Sequence, residues 1–166
     1  RVTMNTNGLN DFVILRTVLN GVLGGVGRPA VGTAGGPQCD VQEPASANDQ
    51  PNQASALGIG QVVCGAFAEP TGGLVDQDFY SFQAVQGVTY RFETWAARTG
   101  SPADTIITVT TVTGAELVPP NDDFGGTTDS RVEWSAGSSG TRFVRVTEFH
   151  SQGGDGWTYR LASSVV

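Results

Sequence analysis

From residue 57 to residue 162 the chain alternates between short apolar runs of period two and clusters of turn residues. The runs cover residues 57–67, 79–85, 88–94, 105–112, 131–135, 141–149 and 157–162. Successive side chains of a strand point to opposite faces, so each run predicts a strand with one buried face. Gly, Pro, Asn, Asp and Ser separate the runs, as hairpins and sandwich loops require. We therefore predict an all-β fold, an antiparallel β-sandwich or jelly roll of about seven or eight strands.

Net charge limits the partners that such a domain can have. The chain carries 9 basic residues, all of them Arg, against 16 acidic residues, for a net charge of −7. No basic stripe is present to neutralise phosphates, so we expect neither nucleic acid nor an anionic membrane as a partner. No run of about eighteen apolar residues is present either, so we expect no membrane span.

The two cysteines, Cys39 and Cys64, lie 25 positions apart. A disulfide between them would stabilise the fold by about 3 kcal/mol in the chain-entropy treatment. It would also tie the residues around Cys39 to the strand around Val62 and Val63. The alternative is a pair of buried free thiols. In a secreted chain we favour the disulfide.

Two acidic patches precede the first long strands. The first holds Glu43, Asn48 and Asp49, and the second holds Asp76 and Asp78. Calcium takes six to eight oxygen ligands from carboxylates, carboxamides and carbonyls, and these patches offer such oxygens. The alternative is that the Asn and Asp side chains cap turns by local hydrogen bonds. We favour a calcium site.

The first 37 residues differ from the rest and predict a separate N-terminal segment, followed by a domain at 38–166. Asn10 and Asp11 predict the start of a helix, and a strand over 12–15 is nearly as well supported. Residues 24–37 are Gly-rich and are typical of a flexible linker. An apolar face needs a partner surface, so this segment predicts assembly. The apolar residues that would dock are Phe12, Val13, Leu15, Val18, Leu19, Val22 and Leu23.

A set of short motifs resembles one known family. The motifs are Glu43-Pro44, Asn48-Asp49, Gly65, Asp76-x-Asp78-Phe79-Tyr80-Ser81-Phe82, Gly87-x-x-Tyr90, Asn121-Asp122-Asp123, Gly140-x-x-Phe143 and Gly156-x-x-Tyr159-x-Leu161. Over about residues 38–163 the chain resembles the bacterial pre-peptidase C-terminal domain, a family similar to the collagen-binding domains of clostridial collagenases.

That resemblance implies a secreted, non-catalytic jelly roll of the kind appended to proteases and other exported enzymes. It also implies calcium ligands at Glu43, Asn48, Asp49 and Asp78, with Asp76 as a neighbour. The chain departs from the family pattern in one place. Three residues, Ala45-Ser46-Ala47, stand between Pro44 and Asn48, where family members usually read Glu-Pro-Asn-Asp without a gap.

Catalysis is not indicated. His150 is the only histidine, and no Gly-x-Ser-x-Gly sequence accompanies it, so we expect no serine-hydrolase triad and no enzyme. We expect His150 in a solvated hairpin loop and the Asn121–Asp123 stretch in a solvated turn rather than in a second oxygen site with Asp129. Trp95 stands near a strand end and is the aromatic residue that we expect to contact a ligand, while the other tryptophans and tyrosines are expected in the core.

Two functions remain open at this level. The first is an extracellular structural module that forms a homo-oligomer or filament through residues 1–36. The second is an accessory domain of a secreted hydrolase that binds collagen, another fibrous protein or a polysaccharide. The chain begins at Arg1 and shows no signal peptide, so we expect a mature extracellular product or an excised piece. The apolar residues between 12 and 23 favour the first function.

Overall fold

A computed structural model of the chain describes residues 36–44 and 47–166. The predicted N-terminal helix or strand, the docking residues and nearly all of the linker lie outside these described residues. Within them the chain forms nine strands. They are β1 (Val41–Gln42), β2 (Ser55–Ala56), β3 (Val62–Ala66), β4 (Gln77–Ala84), β5 (Thr89–Trp95), β6 (Thr105–Thr110), β7 (Arg131–Ser135), β8 (Gly140–Glu148) and β9 (Thr158–Val165). Short 3-10 turns lie at Pro51–Gln53 and Ala97–Thr99, and no described helix is long and apolar enough to cross a membrane.

The strands form the two layers of a sandwich, as predicted. One sheet has the order β1-β3-β9-β5-β7 and the other has the order β2-β4-β8-β6. The long strands pair antiparallel, but β1 pairs parallel with β3 and β2 pairs parallel with β4. The predicted antiparallel sandwich is therefore confirmed for the long strands, and the two short edge strands add the parallel pairs. Strands of two residues carry no readable period, which is why the sequence pattern did not reveal them.

The hydrophobic core lies between the two sheets and is built from the predicted inward faces. On β4 the side chains of Tyr80, Phe82 and Ala84 are buried, and the ring of Phe82 lies 4.9 Å from that of Phe92 on β5. Burying an aromatic side chain of this size contributes about 2–3 kcal/mol. The aromatic contacts between β4 and β5 therefore join the two layers near the middle of the sandwich.

Several strands begin or end at residues other than the predicted ones. In the run 57–67, only Val62–Ala66 forms a strand, which is β3 of the five-stranded sheet. Gly58 to Gln61 form a turn instead, in which Gly60 takes a φ of 95°. At the other end, β9 continues past residue 162 to Val165. Its last residues still pair with β5, where Val165 lies opposite Tyr90.

The predicted disulfide is present. Cys39 and Cys64 are bonded, with their Cα atoms 5.6 Å apart. The backbone on either side is hydrogen-bonded as well: the Asp40 amide donates to the Val62 carbonyl at 2.8 Å, and the Glu43 amide donates to the Cys64 carbonyl at 2.9 Å. The chain before the sandwich is thus fixed along β3, and Glu43 is brought to the end of the core.

Candidate functional site

An open cleft of about 870 Å³ lies beside the segment that follows β1, next to β3, the start of β4 and the start of β9. Its lining is strongly acidic. Five carboxylic acids line it, namely Glu43, Asp49, Asp76, Asp78 and Asp155. The basic residue in the lining is Arg160, whose guanidinium donates to the carbonyls of Gly36 and Pro37. Negative charge therefore dominates this surface.

Three buried side chains at the inner end of the cleft come from both sheets. Asp78 and Tyr80 are two residues apart on β4, so both point inward, and Tyr159 points inward from β9. All three are nearly inaccessible to solvent, at 2%, 0% and 1% exposure respectively. Tyr159 pairs with Gly65 on β3, and its ring lies over that glycine. A Cβ atom at residue 65 would lie only 2.5 Å from the Tyr159 hydroxyl.

These side chains form a continuous chain of short oxygen–oxygen contacts with Glu43. The Tyr159 hydroxyl lies 2.6 Å from Asp78 Oδ2, the two tyrosine hydroxyls lie 2.7 Å apart, and the Tyr80 hydroxyl lies 2.7 Å from Glu43 Oε1. We call Glu43, Tyr80, Tyr159 and Asp78 the acid–tyrosine chain. It links the first sheet to the second through polar groups at the end of the apolar core.

The number of hydrogens in the acid–tyrosine chain identifies a protonated carboxyl group. Three oxygen–oxygen hydrogen bonds require three hydrogens, and each tyrosine hydroxyl supplies only one. Glu43 accepts further hydrogen bonds from the side chain of Asn48 at 2.8 Å and from the amide of Ala66 at 3.0 Å. The third hydrogen therefore has to come from a carboxyl group of this chain, either Asp78 or Glu43.

The electrostatics of the cleft assign this hydrogen to Asp78. Burial, together with the charge of Glu43, raises the pKa of Asp78 to about 9. Burial also raises the pKa of Asp76 to about 6, with the amide of Ala68 acting in the opposite direction and the carboxyl of Asp49 adding to the increase. Burial raises the pKa of the Tyr80 and Tyr159 hydroxyls well above the ordinary value, so both stay neutral.

The structure brings the sequence-predicted acidic residues together. The three-residue insertion leaves Asn48 in contact with Glu43, although Ala45 and Ser46 themselves lie outside the described residues. The Asn48 carbonyl also accepts a hydrogen bond from the amide of Phe79 at 2.9 Å, which ties the first acidic patch to β4. Asp76 accepts a hydrogen bond from the amide of Ala68 and lies beside Asp49.

The donor set can be tested for its fit to calcium. Among the described residues, none of the ion pairs involves Glu43, Asp49, Asp76 or Asp78, so the charge of these acids has no cationic partner there. Hard oxygens with uncompensated negative charge suit Ca²⁺. However, no three His, Cys, Asp or Glu side chains of the described chain are placed to hold a metal ion together. The residues therefore fit calcium in chemistry and charge, while their arrangement is that of a hydrogen-bonded cluster.

Sequence reasoning missed the tyrosines and the glycine of this site. Tyr80 and Tyr159 were expected simply as core residues, and Gly65 was only part of a motif. The sequence contained one usable signal: Tyr80 follows Asp78 by two positions, so the two share a face. It contained no signal that Tyr159, 79 positions from Tyr80, would meet both of them, because that contact forms between two sheets.

The other residues singled out from the sequence lie elsewhere. Trp95 is half-buried, and the guanidinium of Arg98 lies over its ring at 3.5 Å from the ring centre. A ligand that stacked on that face would displace Arg98. His150 is 59% exposed and lies 3.7 Å from Asp104, in the loop where it was expected. Asp129 is fully buried and accepts hydrogen bonds from the Ala97 amide at 2.9 Å and from the Arg98 side chain. Asp129 thus stabilises the start of the 3-10 turn at Ala97–Thr99.

Comparison with known proteins bears on the fold. No family model and no curated protein sequence matches the chain. Among solved structures, a periplasmic inhibitor of g-type lysozyme from Aeromonas hydrophila is 17% identical over 68% of this chain and 96% of its own, with a TM-score of 0.50. The pre-peptidase C-terminal domain of a collagenase from Bacillus anthracis is 13% identical over 67% of this chain and 94% of its own, with a TM-score of 0.49. The family that the motifs resemble is thus represented among the similar structures, and the likeness to the inhibitor shows a shared fold.

Proposed function

We propose that the chain is a non-catalytic, secreted accessory β-sandwich domain whose acidic cleft binds calcium. The observation that carries this proposal is the group of four acids, Glu43, Asp49, Asp76 and Asp78, which share one end of the cleft and lack ion-pair partners among the described residues. Holding such charges together without a cation is costly, and Asp78 responds by keeping its proton.

Calcium would be held by Glu43, Asn48, Asp49, Asp76 and Asp78. A bound divalent cation supplies the positive charge that these groups lack. The residues themselves come from two separate parts of the chain, the segment after β1 and the start of β4, so an ion between them would fasten one to the other. The expected role is therefore structural: calcium would stabilise the end of the sandwich and would order the acidic wall of the cleft.

The secreted location is supported by the disulfide between Cys39 and Cys64, because such bonds persist in oxidising compartments. The accessory role is supported by the kinds of protein that share the fold, one described as a periplasmic lysozyme inhibitor and one as a domain of a collagenase. A domain of this class would hold collagen, another fibrous protein or a polysaccharide for a neighbouring catalytic domain.

Calcium titration tests the metal proposal. At about pH 7.5, calcium at a hundredfold excess over its dissociation constant is expected to raise the free energy of unfolding by about 2.7 kcal/mol relative to chelated protein. The measurement is a melting curve in EDTA and in calcium. Asp49→Asn is expected to weaken the response, whereas Asp155→Asn, a cleft residue outside the acidic group, should leave it unchanged. A melting temperature that is indifferent to millimolar calcium would contradict the proposal.

A second candidate function is self-assembly into an extracellular oligomer or filament. It is favoured by the apolar stripe between residues 12 and 23, which lies before the sandwich in sequence and needs a surface to cover it. Such an assembly would present many copies of the cleft along one fibre, and the two functions are compatible.

Substitution within that stripe tests self-assembly. In the full chain, Leu15→Asp combined with Leu19→Asp is expected to convert an assembled protein into a monomer, because charges oppose burial of the apolar face. Light scattering coupled to size-exclusion chromatography measures the mass. Thr17→Asp is the matched control, since Thr17 lies opposite the stripe in the helical interpretation. Equal masses for all three proteins would rule out assembly through this segment.

A further inference from the structure

We propose that the Cys39–Cys64 disulfide is a redox latch that determines whether one wall of the acidic cleft stays on the sandwich. The wall consists of residues 36–44 and 47–49, which we call the wall segment. The inference rests on the proposed function for what the cleft binds, but the latch itself is a property of the wall segment and can be tested without a ligand.

The wall segment is attached with little apolar burial. Among its residues only Asn48 is fully buried, and only Val41 packs an apolar side chain against the core, where it is partly exposed. Segments with few buried apolar contacts and many exposed backbone hydrogen bonds are the parts of a protein that open first. Something other than hydrophobic packing must therefore hold the wall segment in place.

The noncovalent attachment is made mainly along one edge of a sheet. β1 pairs with β3 over only two residues. Side-chain bonds run from the Val62 amide to Asp40 at 2.9 Å, from the Ala66 amide and the Tyr80 hydroxyl to Glu43 at 3.0 and 2.7 Å, and from Arg160 to the carbonyls of Gly36 and Pro37. The Phe79 amide also donates to the Asn48 carbonyl at 2.9 Å. Because β1 is the outermost strand of its sheet, its release would break no pairing between the remaining strands. The β2 strand is attached separately, through its pairing with β4.

The disulfide makes this weak attachment permanent. It joins Cys39, within the wall segment, directly to Cys64 in the middle of β3. While the bridge is intact, Asp40, Val41 and Glu43 stay next to their partners at a high effective concentration, so broken hydrogen bonds re-form at once. Without it, the wall segment is held to the rest of the described chain by hydrogen bonds and by the partly exposed side chain of Val41.

A reductant in solution can reach the bridge, because both cysteines are only half-buried. A thiolate of a dithiol attacks one sulfur, the protein's S–S bond breaks, and a mixed disulfide forms. The second thiol of the reductant then displaces the protein sulfur. Two electrons pass from the dithiol to the bridge, Cys39 and Cys64 each take up a proton, and the reductant leaves as a disulfide.

Opening the latch changes the cleft and leaves the core in place. When the wall segment leaves, Glu43, Asn48 and Asp49 are lost from the cleft. The Tyr80 hydroxyl then also loses Glu43, the carboxylate to which it donates. Of the six buried aromatics in the core cluster, all except Phe67 belong to β4, β5 and β9, none of which pairs with β1. Reduction would therefore dismantle the proposed calcium site within a folded sandwich.

Hydrogen exchange of the full chain, read by mass spectrometry, tests the latch. With dithiothreitol, we expect the amides of Asp40, Glu43, Val62 and Ala66 to exchange at least tenfold faster, while those of β4 and β8 keep their protection. Unchanged exchange of the four amides, or a loss of protection throughout the protein, would overturn the proposal. A variant with Cys39→Ser and Cys64→Ser should exchange rapidly with or without reductant, and a response of this variant to dithiothreitol would also count against the latch.

Calcium titration by calorimetry separates the latch from the proposed function. If both hold, reduction weakens calcium binding at least tenfold. If the oxidised protein binds no calcium but the four amides still respond to reduction, the latch stands and the calcium proposal fails. If calcium binds equally well in both states, the latch does not control the site and this inference is wrong.

Discussion

In the presence of a chelator, raising the pH from about 5 to about 8 is expected to lower the free energy of unfolding by about 4 kcal/mol. This direction is unusual for a protein with many acids, because paired carboxylates ordinarily make a fold more stable as the pH rises. This decrease comes from the proton that the acid–tyrosine chain holds on Asp78. Asp76, whose pKa is raised to about 6, adds to the decrease below about that pH.

The sign follows from the two pKa values. In the folded protein the pKa of Asp78 is raised to about 9 by burial and by the charge of Glu43, from its ordinary value of 3.8. Between these values the folded state holds one proton more than the unfolded state, so each pH unit lowers stability by about 1.4 kcal/mol. Below the lower value both states are protonated and Asp78 contributes no dependence, and above the upper value its destabilising effect is complete.

Urea denaturation in EDTA across this pH range measures how steeply the free energy of unfolding changes with pH. Asp78→Asn replaces the protonated carboxyl by a neutral group that still offers both a donor and an acceptor. Its free energy of unfolding is therefore expected to be independent of pH above about pH 6, with only the contribution of Asp76 remaining below that pH. Asp155→Asn is the matched control, since the exposed Asp155 lines the same cleft without joining the acid–tyrosine chain, and it should keep the wild-type slope. Stability that rises with pH in wild type, or an equal slope in Asp78→Asn, would show that Asp78 is ionised in the fold.

Calcium should oppose this pH dependence. An ion held by the acidic group favours ionised carboxylates, so its binding releases protons, and affinity increases with pH. The destabilisation seen in EDTA at high pH should then shrink when calcium is present. The proton on Asp78 completes the hydrogen bonds of the metal-free cluster, and it competes with a bound ion. The same side chains can therefore form a hydrogen-bonded cluster without calcium and a cation site with it.

The sequence predicted those features that depend on neighbours in the chain. The period-two pattern placed Tyr80, Phe82 and Ala84 on one buried face because side chains alternate along a strand. The pairing of Cys39 with Cys64 was predictable because only two cysteines are present. Glu43 and Asp78 were recognised from the type and clustering of their side chains.

Features that depend on contacts across the sandwich were not predictable in the same way. Tyr80 and Tyr159 meet only because β4 and β9 lie in opposite sheets, and no local pattern encodes that approach. The proton on Asp78 follows in turn from the distances between hydroxyl and carboxyl oxygens, so it could be assigned only once the contacts were known. The sequence therefore indicated an acidic site, and the structure adds that tyrosines join two of its carboxyl groups.

The second large effect is expected at Gly65. Its replacement by Ala should lower the free energy of unfolding by about 3 kcal/mol. The new Cβ would overlap the ring of Tyr159 and displace its hydroxyl from Asp78 and Tyr80. The Cβ would lie 2.8 Å from ring atom Cε2 and 2.5 Å from the hydroxyl oxygen. Gly65 has no positive φ, so the substitution acts through space and not through backbone strain. Moving Tyr159 would break its contacts with Asp78 and Tyr80, leaving buried polar groups without partners.

Thermal melts of three variants separate packing from hydrogen bonding at this position. Gly137→Ala is the matched control, since an added Cβ there meets nothing within 4 Å and the residue has no positive φ, and it should change stability by less than about 0.5 kcal/mol. Tyr159→Phe keeps the ring over Gly65 and removes only the hydroxyl, so it should cost less than Gly65→Ala. It should also shift the pH dependence, because Asp78 loses the hydrogen bond to the Tyr159 hydroxyl. If Gly65→Ala were as stable as Gly137→Ala, Tyr159 would not rest on the β3 backbone, and the acid–tyrosine chain could not form as described.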